Sequence, residues 1–431
     1  MALTGRLGLL GVVAAVLVGL LAPSGWGVLA ATAVLLLLAA ADVALAGPVR
    51  TLVMERDGDS AVRLGETATV RLTVANPSGR RVRGRLRDAW PPSAGAAGQR
   101  HTLDVPPGER RRVVTTLRPT RRGDRLADRV TVRAVGPLGL AARQGSHRVP
   151  WRLRALPPFG SRKHLPSRLA RLRELDGRSA VMVRGQGTEF DSLREYVVGD
   201  DVRSIDWRAS ARAADVMVRT WRPERDRRVL LVLDCGRTAA GRVGDAPRLD
   251  AAMDAALLLA ALAARAGDRV DLLAYDRSVR ARVEGVPATA VLPAMVAAMA
   301  PLDASLVETD YRGLVGTVLA RASRRSLVVL LTALDTAPVE QGLLPVLAQL
   351  TRRHRVVLAS VADPRVEEMA GARGDLDAVY DAAAAERARG ERARVAGLLG
   401  RRGVAVVDAA PERLAPELAD RYLALKAAGL L

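Results

Sequence analysis

The chain has 431 residues and a formal charge of +20 at pH 7, more than one hydrophobic core comfortably holds, which points to two or three domains. Aromatic residues are only 3% of it, too few for the stacking platforms of single-strand binders, and no DNA-reading helix motif stands out, so nucleic acid is not the expected partner. The basicity lies in the middle: about 39 Lys/Arg stand against about 20 Asp/Glu between 49 and 228, a field that favours acidic lipid head groups or an acidic protein.

Residues 1–48 read as a membrane segment. Every residue between Arg6 and Pro23 is apolar or Gly, a turn Pro23-Ser24-Gly25-Trp26-Gly27 follows, and Val28 to Ala41 is apolar again apart from Thr32. Each stretch is near the lower limit for crossing about 30 Å of hydrocarbon, and the pair predicts a transmembrane helical hairpin. A cleaved signal peptide is the rival, but no small-x-small site precedes Pro23 and a second apolar run follows at once. Arg6 before the first helix and Arg50 and Arg56 after the second, with no positive charge in the turn, place both ends in the cytoplasm. The expectation is a multi-pass protein of the cell membrane with cytoplasmic soluble domains.

From 49 to 157 the period changes to two. Ala68–Val74 alternates and ends at Asn76-Pro77-Ser78-Gly79, Leu103–Val105 runs into Pro106-Pro107-Gly108, and Arg112–Leu117 and Arg129–Arg133 are further strand candidates. Short strands at this spacing with Pro/Gly turns predict a small β-sandwich. No catalytic cluster appears in it, and a spacer or interaction module is the plainer reading.

Residues 158–227 form a polar linker, or strap. Asp200, Asp201 and Asp206 lie near Arg203, Arg208 and Arg212 in sequence, so charges can pair while Tyr196 and Trp207 bury apolar area. Ser192-x-x-Glu195 has the spacing of a helix capping box. Gly185-Gln186-Gly187 lacks a third glycine and is no dinucleotide fingerprint.

Beyond 228 strands and helices alternate: strands at 229–233, 269–275, 278–283, 326–331, 356–361 and 404–407, helices at 249–264, 291–300, 311–321, 339–350 and 411–428. That order predicts an α/β doubly wound sheet. Ligands of such sheets sit at the carboxyl ends of the strands, here Asp234-Cys235-Gly236-Arg237-Thr238, Thr309-Asp310 and Thr332-Ala333-Leu334-Asp335. Three chemistries can use that crown. A divalent ion needs carboxylates and hydroxyls in octahedral array. Asp234 as phosphoryl acceptor wants a carboxylate two residues on, where Gly236 stands. Cys235 as a thiolate wants a cradle and a following arginine; Arg242 is seven positions along and no histidine is close in sequence. Cys235 is also the only cysteine, so no intramolecular disulfide forms. No GxxxxGK[ST], HExxH or CxxC occurs.

The runs Gly187-Thr188-Glu189-Phe190, Leu193-Arg194-Glu195-Tyr196, Gly199-Asp200-Asp201-Val202-Arg203-Ser204-Ile205-Asp206-Trp207-Arg208 and Ser210-Ala211-Arg212 resemble the signature of the bacterial membrane protein family called domain of unknown function 58. The resemblance implies a transmembrane hairpin, a β-rich insert and a von Willebrand factor A-like (Rossmann-like) domain over 228–431. It implies a non-enzymatic adaptor or scaffold that works with a MoxR-type AAA+ ATPase in assembly or maturation of other proteins. Glu189, Arg194, Tyr196, Asp200, Arg203, Asp206, Trp207 and Arg208 become candidates for partner binding or for clamping the strap. The A-like domain carries a metal-ion-dependent adhesion site with Asp-x-Ser-x-Ser, a later Thr and a later Asp. Here Asp234 matches, Gly236 replaces the first Ser, Thr238 stands for the second, Thr309 is the loop threonine, and Ala333 replaces the later Asp with Asp335 two residues on. The expectation is a degenerate site of Asp234, Thr238, Thr309 and Asp335 with weak or absent Mg2+. The alternative function is a metal-dependent phosphoryl or ester hydrolase at the Asp234 loop.

Overall fold

The computed structural model describes residues 2–21, 23–182, 189–213, 215–222, 227–372 and 374–431. Two compact units divide at Leu156 and Pro157.

In the first unit, strand β1 (Ala2–Leu3) precedes helices α1 (Gly5–Leu21) and α2 (Gly25–Leu45). Both helices are apolar over most of their length, Arg6 near the start of α1 and Asp42 near the end of α2 being the charged exceptions. Among the described residues α2 alone is long and apolar enough to cross a membrane. Ser24 caps it, its hydroxyl accepting from the Gly27 amide. Then come β2 (Val53–Gly58), β3 (Ala61–Arg63), β4 (Ala68–Ala75), β5 (Val82–Asp88), β6 (Ala96–Ala97), β7 (Arg100–Val105), β8 (Arg110–Leu117), β9 (Gly123–Val135) and β10 (Ala141–Leu156). They form two sheets, one ordered β1-β10-β9-β5-β7 with β3 on β10, the other β2-β4-β8-β6.

Alternation puts Leu72, Val74 and Val113 of one sheet against Leu86, Leu103, Val130 and Val132 of the other in one shared core. A charged node sits beside it. The Arg56 guanidinium is buried, pairs with Asp88 and donates to the Val149 carbonyl. Asp88 also accepts from Trp90 Nε1 and Thr115 Oγ1, both at 2.9 Å. Arg56 therefore cannot act as a charge flanking the apolar N-terminal helices, as the sequence suggested; it is consumed inside the sandwich.

The turn between β9 and β10 is held to α2 by Asp42. This fully buried carboxylate accepts from the amides of Leu138 (2.7 Å), Leu140 (2.7 Å) and Ala141 (2.8 Å). Gly136 is required at this crossing, since a methyl there would lie 2.2 Å from Asp42 Oδ1.

The second unit opens with α3 (Leu165–Met182), then β11 (Glu189–Glu195), the single-turn α4 (Trp207–Ser210) and β12 (Met217–Arg222). β11 and β12 pair antiparallel as an isolated ribbon. Ser192 and Glu195 lie in β11, so they form no capping box; the helix expected there is a strand. β13 (Arg228–Asp234), β14 (Arg242–Val243), β15 (Ala246–Pro247), α5 (Arg248–Arg265), β16 (Arg269–Tyr275), β17 (Val279–Val283), α6 (Ala288–Met299), α7 (Tyr311–Arg321) and β18 (Leu327–Leu331) follow. A π-type turn (Pro338–Leu343) leads into α8 (Leu344–Thr351), then β19 (Arg355–Val361), α9 (Pro364–Gly371), α10 (Leu376–Arg401), β20 (Ala405–Ala409) and α11 (Pro411–Ala427).

The main sheet runs β17-β16-β13-β18-β19-β20, parallel throughout except for the edge strand β17. Its central strands are unbroken apolar runs because both faces are covered. Leu230, Val232, Leu273, Leu330 and Leu358 meet Leu314 and Val318 of α7, Leu347 of α8 and Leu399 of α10 on one face, while α5 and α11 pack together against the other.

Candidate functional site

β13 lies between β16 and β18, the point where the chain order of the sheet reverses, and Asp234 ends it. The side chain is only 3% exposed, and a carboxylate there needs donors on all its lone pairs. It has five. Oδ1 accepts from the Gly236 amide (2.8 Å) and from Thr309 Oγ1. Oδ2 accepts from Thr332 Oγ1 (2.6 Å), Tyr311 Oη (3.2 Å) and, more distantly, Thr238 Oγ1 (3.4 Å). Burial, and then the Asp234 charge, push the Tyr311 phenol far above its ordinary range, so it stays a donor.

Backbone bonds lock the loops around this carboxylate. Cys235 N donates to Tyr275 O (2.8 Å), Arg237 N to Val307 O (2.8 Å), and Ser305 N to Cys235 O (2.7 Å). Asp310 caps α7 by accepting from Gly313 N at 3.0 Å. Cys235 is fully buried in the core, away from the exposed position a thiolate nucleophile needs.

Asp234, Thr238 and Thr309 are joined directly by hydrogen bonds, while Asp335 is near enough for its charge to act on Tyr311 but makes no bond to Asp234. Asp335 pairs instead with Arg248, at 3.4 Å. The hydroxyls of Thr238, Thr309, Thr332 and Tyr311 all lie within hydrogen-bond distance of Asp234, which they can serve as donors. Gly236 supplies no hydroxyl, and a methyl placed on it would lie 2.1 Å from Thr309 Oγ1. Thr309 fills the space a serine would use. Among the described residues, no group of three His, Cys, Asp or Glu gathers that could hold a metal ion. With no hydroxyl at Gly236 and Asp335 paired with Arg248, fewer protein oxygens gather around Asp234 than a full octahedral cage asks for.

Sequence reasoning missed a second node. Asp276, one residue beyond β16, accepts from Ser305 Oγ (2.8 Å), Ser278 N (3.1 Å), Arg277 N and Arg280 Nη1 (2.7 Å). Burial alone would raise its carboxyl, but those donors hold it below the usual aspartate value. The signal was available: an aspartate just past an apolar strand, as at Asp234.

In the ribbon the expected pairing is corrected. Asp200 is gripped bidentately by Arg194 (2.7 and 2.6 Å), and Asp206 pairs with Arg219 (2.8 Å), not with Arg203, Arg208 or Arg212. Asp206 also caps α4, accepting from Arg208 N and Ala209 N at 3.0 Å each. The Ala209 amide first, then Arg219, hold its carboxyl low. Trp207 is 70% exposed and buries little apolar area, Tyr196 is half-buried, and Arg203 and Arg208 are exposed. Glu189 starts β11 by its backbone; Gly185, Gln186, Gly187 and Thr188 lie outside the described residues.

Fold and site together define an α/β unit whose strand-end crown is sealed by hydrogen bonds, in a chain with an apolar helix near its N-terminus. The family model described as "Protein of unknown function DUF58" matches residues 192–394, from the ribbon into α10. Uncharacterized protein Rv1480 of Mycobacterium tuberculosis (strain ATCC 25618 / H37Rv) and Uncharacterized protein Mb1516 of Mycobacterium bovis are each 26% identical over 197 residues. That match covers 45% of this chain and 61% of each relative's own length. Among solved structures, the CARDB domain of the PF1109 protein from Pyrococcus furiosus is 17% identical, covering 24% of this chain and 86% of that one with a TM-score of 0.18. The PapD-like domain 7 of human CEP192 is 15% identical, covering 24% and 84%, also at 0.18.

Proposed function

We propose that this chain is a membrane-anchored, non-enzymatic adaptor that presents a von Willebrand factor A-like domain to a protein partner. The observation that carries the reading is the saturation of Asp234 by five internal donors. A carboxylate so held is a poor nucleophile and a poor general base, because any reaction must first break bonds that stabilise its charge. What the crown offers instead is a rigid surface of loops. The α1–α2 pair is read as a hairpin crossing the bilayer twice, with both soluble units in the cytoplasm and the basic middle facing anionic lipid. The partner, on the resemblance of the ribbon segment, is a MoxR-type AAA+ ATPase, and the shared task is assembly or maturation of other proteins.

Titrating the purified full chain in detergent with a purified MoxR-type ATPase, with and without ATP, tests the partnership; absence of saturable binding in both states refutes it. Incubation with generic phosphate esters and divalent metals tests the non-enzymatic part, and turnover abolished by Asp234→Asn would establish the hydrolase instead. Topology is read from a Ser78→Cys variant, because the one native thiol is buried. Labelling of that cysteine from the outer face would invert the orientation.

A further inference from the structure

The end of α2 carries a pair of arginines with no evident reason to be together. Arg80 Nη1 donates to the Ala44 carbonyl at 2.8 Å. Arg143 Nε donates to Val43 O at 2.8 Å, and its Nη2 reaches the same Ala44 O at 3.4 Å. Two guanidinium groups therefore converge on one backbone oxygen. Neither has a carboxylate partner among the described residues, whereas the adjacent Arg81 is held bidentately by Asp104. The nearest acid on the helix, Asp42, is spent on three amides. Arg6 adds a third positive group, its side chain lying over Gly139 in the turn that Asp42 holds. A helix C-terminus, with its unpaired carbonyls, favours cations, but two guanidinium groups this close also repel each other, and an anion held between them would relieve that repulsion.

The depth of this cluster identifies the anion. Trp26, at the start of α2, is exposed as an interfacial anchor would be. Ala44 is eighteen residues further on, about 27 Å along a helix and close to the thickness of the hydrocarbon layer. Ala44 then lies at the edge of the opposite interface, where the long arginine side chains around it can reach out to lipid phosphates. Leu138, at the tip of the latched turn, is half exposed beside it. We infer that Arg80 and Arg143, backed by Arg6, form a clasp for the phosphate of an anionic phospholipid headgroup. The inference rests on the membrane-anchored reading of α2.

Native mass spectrometry of the detergent-solubilised full chain, offered phosphatidylglycerol or phosphatidylcholine, tests it. Wild type should retain phosphatidylglycerol preferentially. Arg80→Gln with Arg143→Gln should cut that retention roughly 25-fold, about fivefold for each arginine near a charged surface, and leave phosphatidylcholine unchanged. Arg80→Lys with Arg143→Lys, which keeps the charge, should retain most of it, and serves if the Gln pair fails to fold. Equal retention of the two lipids, or phosphatidylglycerol retention untouched by the Gln pair, overturns the clasp. Full displacement by millimolar inorganic phosphate would reassign it to a soluble anion. Failure of the chain to float with vesicles of either lipid would be a different result, removing the membrane anchor itself.

Discussion

Replacing Gly236 by Ala should damage the Asp234 centre, and removing Thr309 as well should add little further damage. The backbone at 236 (φ −78°) accepts any L residue, so the cost comes from contacts alone. A methyl there lies 2.1 Å from Thr309 Oγ1, 3.0 Å from Val307 O and 3.1 Å from Asp234 Oδ1. Thr309 must leave, forfeiting a bond to an ionised carboxylate, about 1.5–3 kcal/mol, and the tighter contacts with backbone add about 1 kcal/mol or more. Thr309→Ala alone forfeits only the bond. In the double variant the bond is lost once rather than twice, so the two effects should fall short of additivity by about 2 kcal/mol. Hydrogen exchange in peptides spanning 229–238 and 305–313 reads this locally, without requiring the two units to unfold together. Strict additivity, or a Gly236→Ala variant with wild-type protection, would refute the claim that Thr309 fills the space of a missing hydroxyl.

Three further outcomes follow from the geometry. Asp42→Ala should strand two buried amides and a third partly buried one at a cost of roughly 3–5 kcal/mol, seen as protease cleavage and fast exchange at 136–141; unchanged exchange there would show that the latch is idle. Asp254, on α5, accepts from Ser161 N at 3.2 Å through both oxygens, yet burial raises its carboxyl above the ordinary value. Its contribution is therefore full below the unfolded aspartate value and is lost as pH rises through the higher folded value. Asp254→Asn should melt less steeply with rising pH from about 4 upward, and parallel profiles would contradict the assignment. Trp207→Ala should change stability by no more than about 0.5 kcal/mol, as at other exposed sites, while abolishing binding of the proposed ATPase; an intact complex would move the contact off the ribbon.

Hydrophobic period and turn chemistry made most strands legible, because a run such as 229–233 admits no other use and Asn76 to Gly79 can only turn. The helices of α5, α7 and α11 carried the same clarity. Those of α3 and α10 did not: the Arg- and Ala-rich run of α10 has weak amphipathic contrast, so periodicity gives no face to read, while α3, as amphipathic as α5, sits in a polar stretch that reads as a linker. Ser192 and Glu195 misled because cap spacing is local, while the β11–β12 ladder that claims them is set by residues more than twenty positions away. At the crown, Asp234 and Thr309 were readable as oxygen-bearing loop residues. Thr332 was readable with them, at the end of its own strand; Tyr311 was not, since only the packing of α7 against the sheet brings its hydroxyl to the same carboxylate. Likewise Arg194 and Arg219 outcompete nearer arginines for Asp200 and Asp206 because the ladder faces them across the ribbon.

The grip of Asp42 on the β9–β10 turn has a mechanical corollary. A carboxylate rooted in a helix and held by three amides of a sandwich transmits torque: rolling the helix about its axis must swing the whole β-rich body like a weathervane on its spindle. Whatever crowds or pulls the helix from the side would thus be reported at the far rim of the sandwich as a change of bearing, with no unfolding required.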